Sequence, residues 1–139
     1  MSKLIPLIRE IRGGFFKVSV RLLIVFLMIA GAWVATRTLT SPEAIEINDK
    51  VIHAVVFISF AVLMDLATSR CPFWLWKGLP LLIYGAVIEV LQYFTPDRSF
   101  SLLDLLADLS GIVLYLILKS LLIWGALKYD MLMMSNRKY

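Results

Sequence analysis

Seven side chains in this sequence are of types that do chemistry, and all stand in or beside long apolar runs: Asp49, His53, Glu89, Gln92, Arg98, Asp104 and Asp108. Asp49 and His53 are four residues apart, Glu89 and Gln92 three, Asp104 and Asp108 four, so each pair shares one helix face. An imidazole near carboxylates can serve as acid and base. One imidazole with several carboxylates also suits a divalent cation such as Mn2+, Mg2+ or Zn2+. Arg98 can bind a phosphate or carboxylate, with Ser99 and Ser101 adding hydroxyls. Plainer roles compete with these. Asp49 and Asp104 can cap helices, His53 can be a hydrogen-bonded packing residue, and Arg98 can reach toward lipid headgroups. Glu89 sits roughly 8 Å below Phe94 and Asp108 about 9 Å below Leu102, at 1.5 Å per helical residue. A carboxylate that deep must be protonated, paired or turned to a wet cavity, and such groups mark function by default.

The elements that must position these groups are membrane helices. Of 139 residues, 60% are hydrophobic, and the mean hydropathy is +0.85. A soluble domain of that length could not cover so much apolar surface. Four segments have the length of a bilayer crossing, about 18–36, 49–68, 75–94 and 102–124. No repeat or linker divides the chain, so residues 1–139 read as a single all-α domain: a polytopic membrane protein built as a four-transmembrane-helix bundle. Ser101-Leu102-Leu103-Asp104 fits an N-cap at the start of the fourth span, and Asn48 or Asp49 fits one at the second.

The basic residues give the orientation. With both termini cytoplasmic, only Arg37, Lys50 and Arg98 of the 14 lysines and arginines lie outside. That bias explains the net charge of +4 without any nucleic acid partner. Residues 1–17 carry basic residues among apolar ones and read as a flanking basic tail or a short surface helix, with Gly13-Gly14 as a joint. The first span, with Ala30-Gly31-Ala32 near its end, also fits a signal peptide. Its length and the spans after it favour a retained anchor. Arg21 is expected to reach back to the headgroups, and Trp74 and Trp76 beside Arg70 and Lys77 to form an interfacial belt on a turn. Asp65, near the far end of the second span, can reach water and receives no special role. Cys71 is the single cysteine, which excludes an intrachain disulfide or a cysteine metal site. It reads as inert, or else as a lipidated thiol.

The ordered set Asp49-Lys50-x-x-His53, Glu89-x-x-Gln92 and Arg98-Ser99-x-x-x-x-Asp104-x-x-x-Asp108-x-x-Gly111 resembles the VanZ-like family of small bacterial membrane proteins over residues 48–118. Asp108 departs from the pattern, which usually has asparagine there. The resemblance implies a bacterial cytoplasmic membrane and a cell-envelope role, and the family takes its name from antibiotic resistance to teicoplanin. It implies no reaction.

Three functions are compatible with these residues. An outward-facing polar pocket could bind the headgroup of an amphiphile, either a lipid-linked envelope precursor or a lipoglycopeptide. An enzyme could use His53 with Glu89 or Asp108 as acid–base or metal-binding groups, although no G-x-S-x-G, H-E-x-x-H or phosphate loop is present. A scaffold could use the same groups only to lock its helices. An open polar cavity favours the first two, and a closed, fully paired cluster favours the third. The expected geometry has helices two, three and four meeting at one end around His53, Glu89 and Asp108. Arg98 stands at the rim, and the first helix is peripheral.

Overall fold

The computed structural model describes residues 4–37, 49–68, 71–96 and 100–136, with the backbone alone described for 4–12 and 136. It has four long helices and no strand among those residues: α1 (Leu4–Ala35), α2 (Asp49–Ala67), α3 (Leu79–Tyr93) and α4 (Leu102–Asn136). α1, α2 and α4 each contain a stretch long and apolar enough to cross a membrane, and α3 makes one together with the helical turn before it, over Trp74–Tyr93. Their outward faces are rich in exposed Leu, Ile, Val and Phe, as lipid contact requires.

Two helices are longer than expected. α1 runs unbroken through Gly13-Gly14, so the predicted joint is absent and the basic N-terminal segment continues the first span. Two glycines cost a helix about 1 kcal/mol each, less than leaving backbone groups unsatisfied beside lipid. α4 continues past Trp124 to Asn136, because no proline follows and Gly125 alone does not stop it. At 1.5 Å per residue α1 and α4 are about 48 and 52 Å long, well beyond a hydrocarbon core of about 30 Å.

α2 is the central helix. Its most extensive contact is with α4, and it also packs against α1. Ala107 and Gly111, four apart on α4, give α2 a smooth surface to approach, and Gly111 lies directly on the backbone of Ala54. Phe57, Phe60, Ala61, Leu81 and Ile112 fill the core between α2, α3 and α4. α1 is peripheral, as its lack of polar residues between Arg21 and Thr36 predicts. It seats Val20 and Ile24 on Ala67 and makes only slight contact with α3.

The end away from the α3–α4 hairpin holds a polar cluster that the sequence reading did not foresee. Asp65 accepts hydrogen bonds from Lys77 Nζ at 2.5 Å, Tyr115 OH at 2.6 Å and Lys119 Nζ at 2.6 Å. It thereby ties α2 to α4 and to the entry of α3. Lys77 therefore turns into the protein and is only 2% exposed. The turn expected around Trp74 and Trp76 is instead a π-helical turn, Trp74–Gly78, that leads straight into α3, with Lys77 buried on it. Arg21 also finds a protein partner, donating to the Ala67 carbonyl at the end of α2.

Candidate functional site

At the hairpin end, the start of α2, the end of α3 and the start of α4 bring six of the seven polar residues into one region. Arg98 lies outside the described residues, as do Ser99 and Asn48. His53 Nδ1 is 2.8 Å from Asp108 Oδ1, joining α2 to α4 at the level of the Ala54–Gly111 contact. Asp108 is fully buried. Its second oxygen lies against Gly85, where a side chain would occupy the same space. Gly85 is one turn before Glu89 on α3, so the absence of a Cβ there lets Asp108 reach under that helix.

Glu89 is fully buried and lies within electrostatic range of His53, Asp104 and Asp108. Its Oε2 accepts the Ser101 backbone N–H at 2.8 Å. This alters the expected cap of α4. Ser101 Oγ does accept from the Asp104 N–H, at 3.3 Å, as an N-cap serine should. In a reciprocal capping box the Asp104 carboxylate would then serve the Ser101 N–H. Glu89 from α3 supplies that bond instead, and the Asp104 side chain is released toward α2. There Asp104 Oδ1 lies 3.4 Å from Lys50 Nζ, in ion-pair range but without a hydrogen bond.

Three buried carboxylate oxygens have no hydrogen-bond partner among the described residues: Glu89 Oε1, Asp104 Oδ1 and Asp108 Oδ2. A desolvated acceptor left unsatisfied costs about 1–3 kcal/mol, more when charged. A cluster that served only to lock helices would pair such atoms.

A groove of about 570 Å³ opens beside the cluster, between α1, α2 and α3. Its walls are mostly apolar, with Leu27, Val34, Val56, Phe60, Leu63 and Ile88 among them. Tyr84 and Ser59 also line it, but their hydroxyls are already committed, to the Met28 and Val55 carbonyls. Asp49, His53 and Gln92 also line it, together at the hairpin end. Glu89, Asp104 and Asp108 stand behind them on the α4 side and do not line the groove; His53 bridges the two regions.

The family model for VanZ/LLP1 matches residues 4–123. The chain belongs to the VanZ/LLP1 family. The match takes in α1, α2, α3, the part of α4 up to residue 123 and every residue of the hairpin-end cluster of this VanZ/LLP1 protein. No curated protein and no solved structure matches the chain. The two acidic residues at the start of α4 have different surroundings: Asp104 meets Lys50, and Asp108 meets His53. Asparagine at 108 would keep one acceptor for the imidazole and lose the negative charge.

Proposed function

We propose that this VanZ/LLP1 protein binds an amphiphile of the bacterial cell envelope, with the headgroup at Asp49, His53 and Gln92 and the apolar tail in the groove. The observation that carries this reading is the polarity of the groove: Asp49, His53 and Gln92 line it at one end, and the remaining walls are apolar but for two hydroxyls bonded to backbone carbonyls. From Asp49 to Leu63 the groove follows α2 for roughly 20 Å, and its volume is that of a ligand-sized site. The groove lies at the periphery, beneath α1, so a lipid-borne molecule enters sideways without leaving the membrane. A polyprenyl-linked precursor or a lipid-tailed antibiotic such as teicoplanin has the required form.

The outward direction rests on charge. Lys77, Lys119 and Arg21 stand at the end opposite the hairpin, and the overhanging ends of α1 and α4 project on that same side with further basic residues. In the cytoplasmic membrane, this bias supports an outward-facing hairpin end. Ser99→Cys in a Cys71→Ala background is expected to react with a membrane-impermeant maleimide on intact cells. Labelling only after the inner face is opened would reverse the orientation.

Binding itself is tested by filling the groove. Val56 lines it and is 41% exposed. A tryptophan there displaces at least two methylenes of a tail, enough for about a tenfold loss at about 0.8 kcal/mol each. Native mass spectra of Val56→Trp purified with polyprenyl phosphate should show that loss with an unchanged melting temperature. Equal retention of the lipid by variant and parent would sink the tail-in-groove arrangement.

A membrane-embedded enzyme is the second reading, and the 2.8 Å His53–Asp108 pair favours it, since an oriented imidazole is a competent base. Turnover of a lipid-linked substrate that stops in His53→Gln, with binding retained, would establish it.

A further inference from the structure

Asp49, His53 and Asp104 each bring one potential ligand atom to within 4.8 Å of the other two. We propose that these three residues form a divalent-cation site for an ion of the Zn2+ or Mn2+ class, with Asp108 as the residue that positions the imidazole. Three ligands around one tetrahedral ion stand about 2.0–2.2 Å from it and so roughly 3.3–3.6 Å from each other. Side-chain movements of about 1 Å or less close the site. One nitrogen and carboxylate oxygens suit these borderline ions better than Ca2+ or Mg2+, which take oxygen almost alone.

Three observations bear on this assignment. First, Asp108 Oδ1 lies 2.8 Å from His53 Nδ1, and a carboxylate there accepts the Nδ1 proton, so that in the neutral ring the Nε2 lone pair is available. A carboxylate behind a histidine is the usual outer partner of a metal-bound imidazole. Second, Asp104 is 7% exposed, and its Oδ1 has no hydrogen bond among the described residues, because Glu89 has taken over its capping partner. Third, the place already attracts a cation: Lys50 Nζ stands 3.4 Å from Asp104 Oδ1. Lys50 is 44% exposed on its side chain and can swing out to water as an ion enters.

The site also resolves an electrostatic difficulty. The cluster is acidic, while a polyprenyl phosphate headgroup is anionic. A divalent ion held by Asp49 and His53, which line the groove, presents positive charge to such a headgroup. That role rests on the amphiphile reading; the ion site itself does not.

The experiment is a titration of the chelator-stripped full chain in detergent micelles, with Mn2+ followed by electron paramagnetic resonance and Zn2+ by calorimetry. No lipid is added, so the result is separate from amphiphile binding. One ion per chain should bind saturably. Asp104→Asn should weaken it tenfold or more, and Lys50→Met, which removes the competing ammonium, should tighten it. Asp108→Ala should weaken it about 10–100-fold, and Asp108→Asn, which keeps an acceptor for Nδ1, should recover most of that loss. Circular dichroism confirms the fold of each variant. Absence of saturable binding up to about 1 mM, the weak end of protein cation affinities, in both the parent and Lys50→Met overturns the site. So does binding that is indifferent to Asp104→Asn.

Discussion

Replacing Asp65 with leucine is expected to destabilise the protein by about 3–5 kcal/mol, the cost of breaking a buried ion pair from one side. Asp65 accepts from Lys77, Tyr115 and Lys119 together. Lys119 is 37% exposed on its side chain and can turn toward water or headgroups, but Lys77 is held inside the bundle at 2% exposure with nowhere to go. The stranded ammonium is therefore the main source of the loss. Lys77→Met alone should cost less, because Asp65 keeps Lys119 and Tyr115. The double variant Asp65→Leu/Lys77→Met should regain most of the stability, since an apolar pair of similar volume replaces a buried ion pair at little cost. Reversible unfolding in mixed micelles measures all three. If the double variant is no more stable than Asp65→Leu, the buried lysine is not what Asp65 serves.

That cluster shows where sequence reasoning stops. Asp65, Lys77 and the Tyr115–Lys119 pair come from three separate segments, and each taken singly looks like an ordinary residue near a membrane surface. The signal that could have joined them is the spacing of Tyr115 and Lys119, four apart on one face of an otherwise apolar helix. At the hairpin end the sequence says more. A polar group in a lipid-length apolar run must turn inward, and the fixed rise of a helix gives its depth, so the matching depth of Glu89 and Asp108 follows from counting residues, while the joining of His53 rests on its need for a polar partner. What counting cannot supply is which oxygen serves which donor. Glu89 caps α4 in place of Asp104, a choice made by the approach of α3 that no local pattern encodes. Likewise the short segment between α3 and α4 makes those helices neighbours. The most extensive contact is nonetheless between α2 and α4, because small residues rather than loop length decide how close two membrane helices come.

Gly111→Ala is expected to act at that close approach, on stability and on the site together. A Cβ at 111 would collide with the Ala54 carbonyl oxygen and press on Ala54 C and Cα. These are backbone atoms inside a helix and cannot rotate aside, so α2 must move away from α4. Overpacking of this kind costs about 1–3 kcal/mol, against a gain of about 1 kcal/mol from replacing a helical glycine by alanine. Gly125→Ala is the control: nothing lies within 4 Å of its Cβ position, so only the gain should appear. The two substitutions should therefore move stability in opposite directions. The site should respond as well, because His53 is the residue before Ala54 and Asp108 stands three before Gly111. A hydrogen bond of 2.8 Å across two separating helices lengthens with them. The His53 ring nitrogen resonances should then shift in Gly111→Ala and stay fixed in Gly125→Ala. Unshifted resonances with unchanged stability in Gly111→Ala would mean that the helices do not meet at Ala54, and that the His53–Asp108 bond does not depend on their contact.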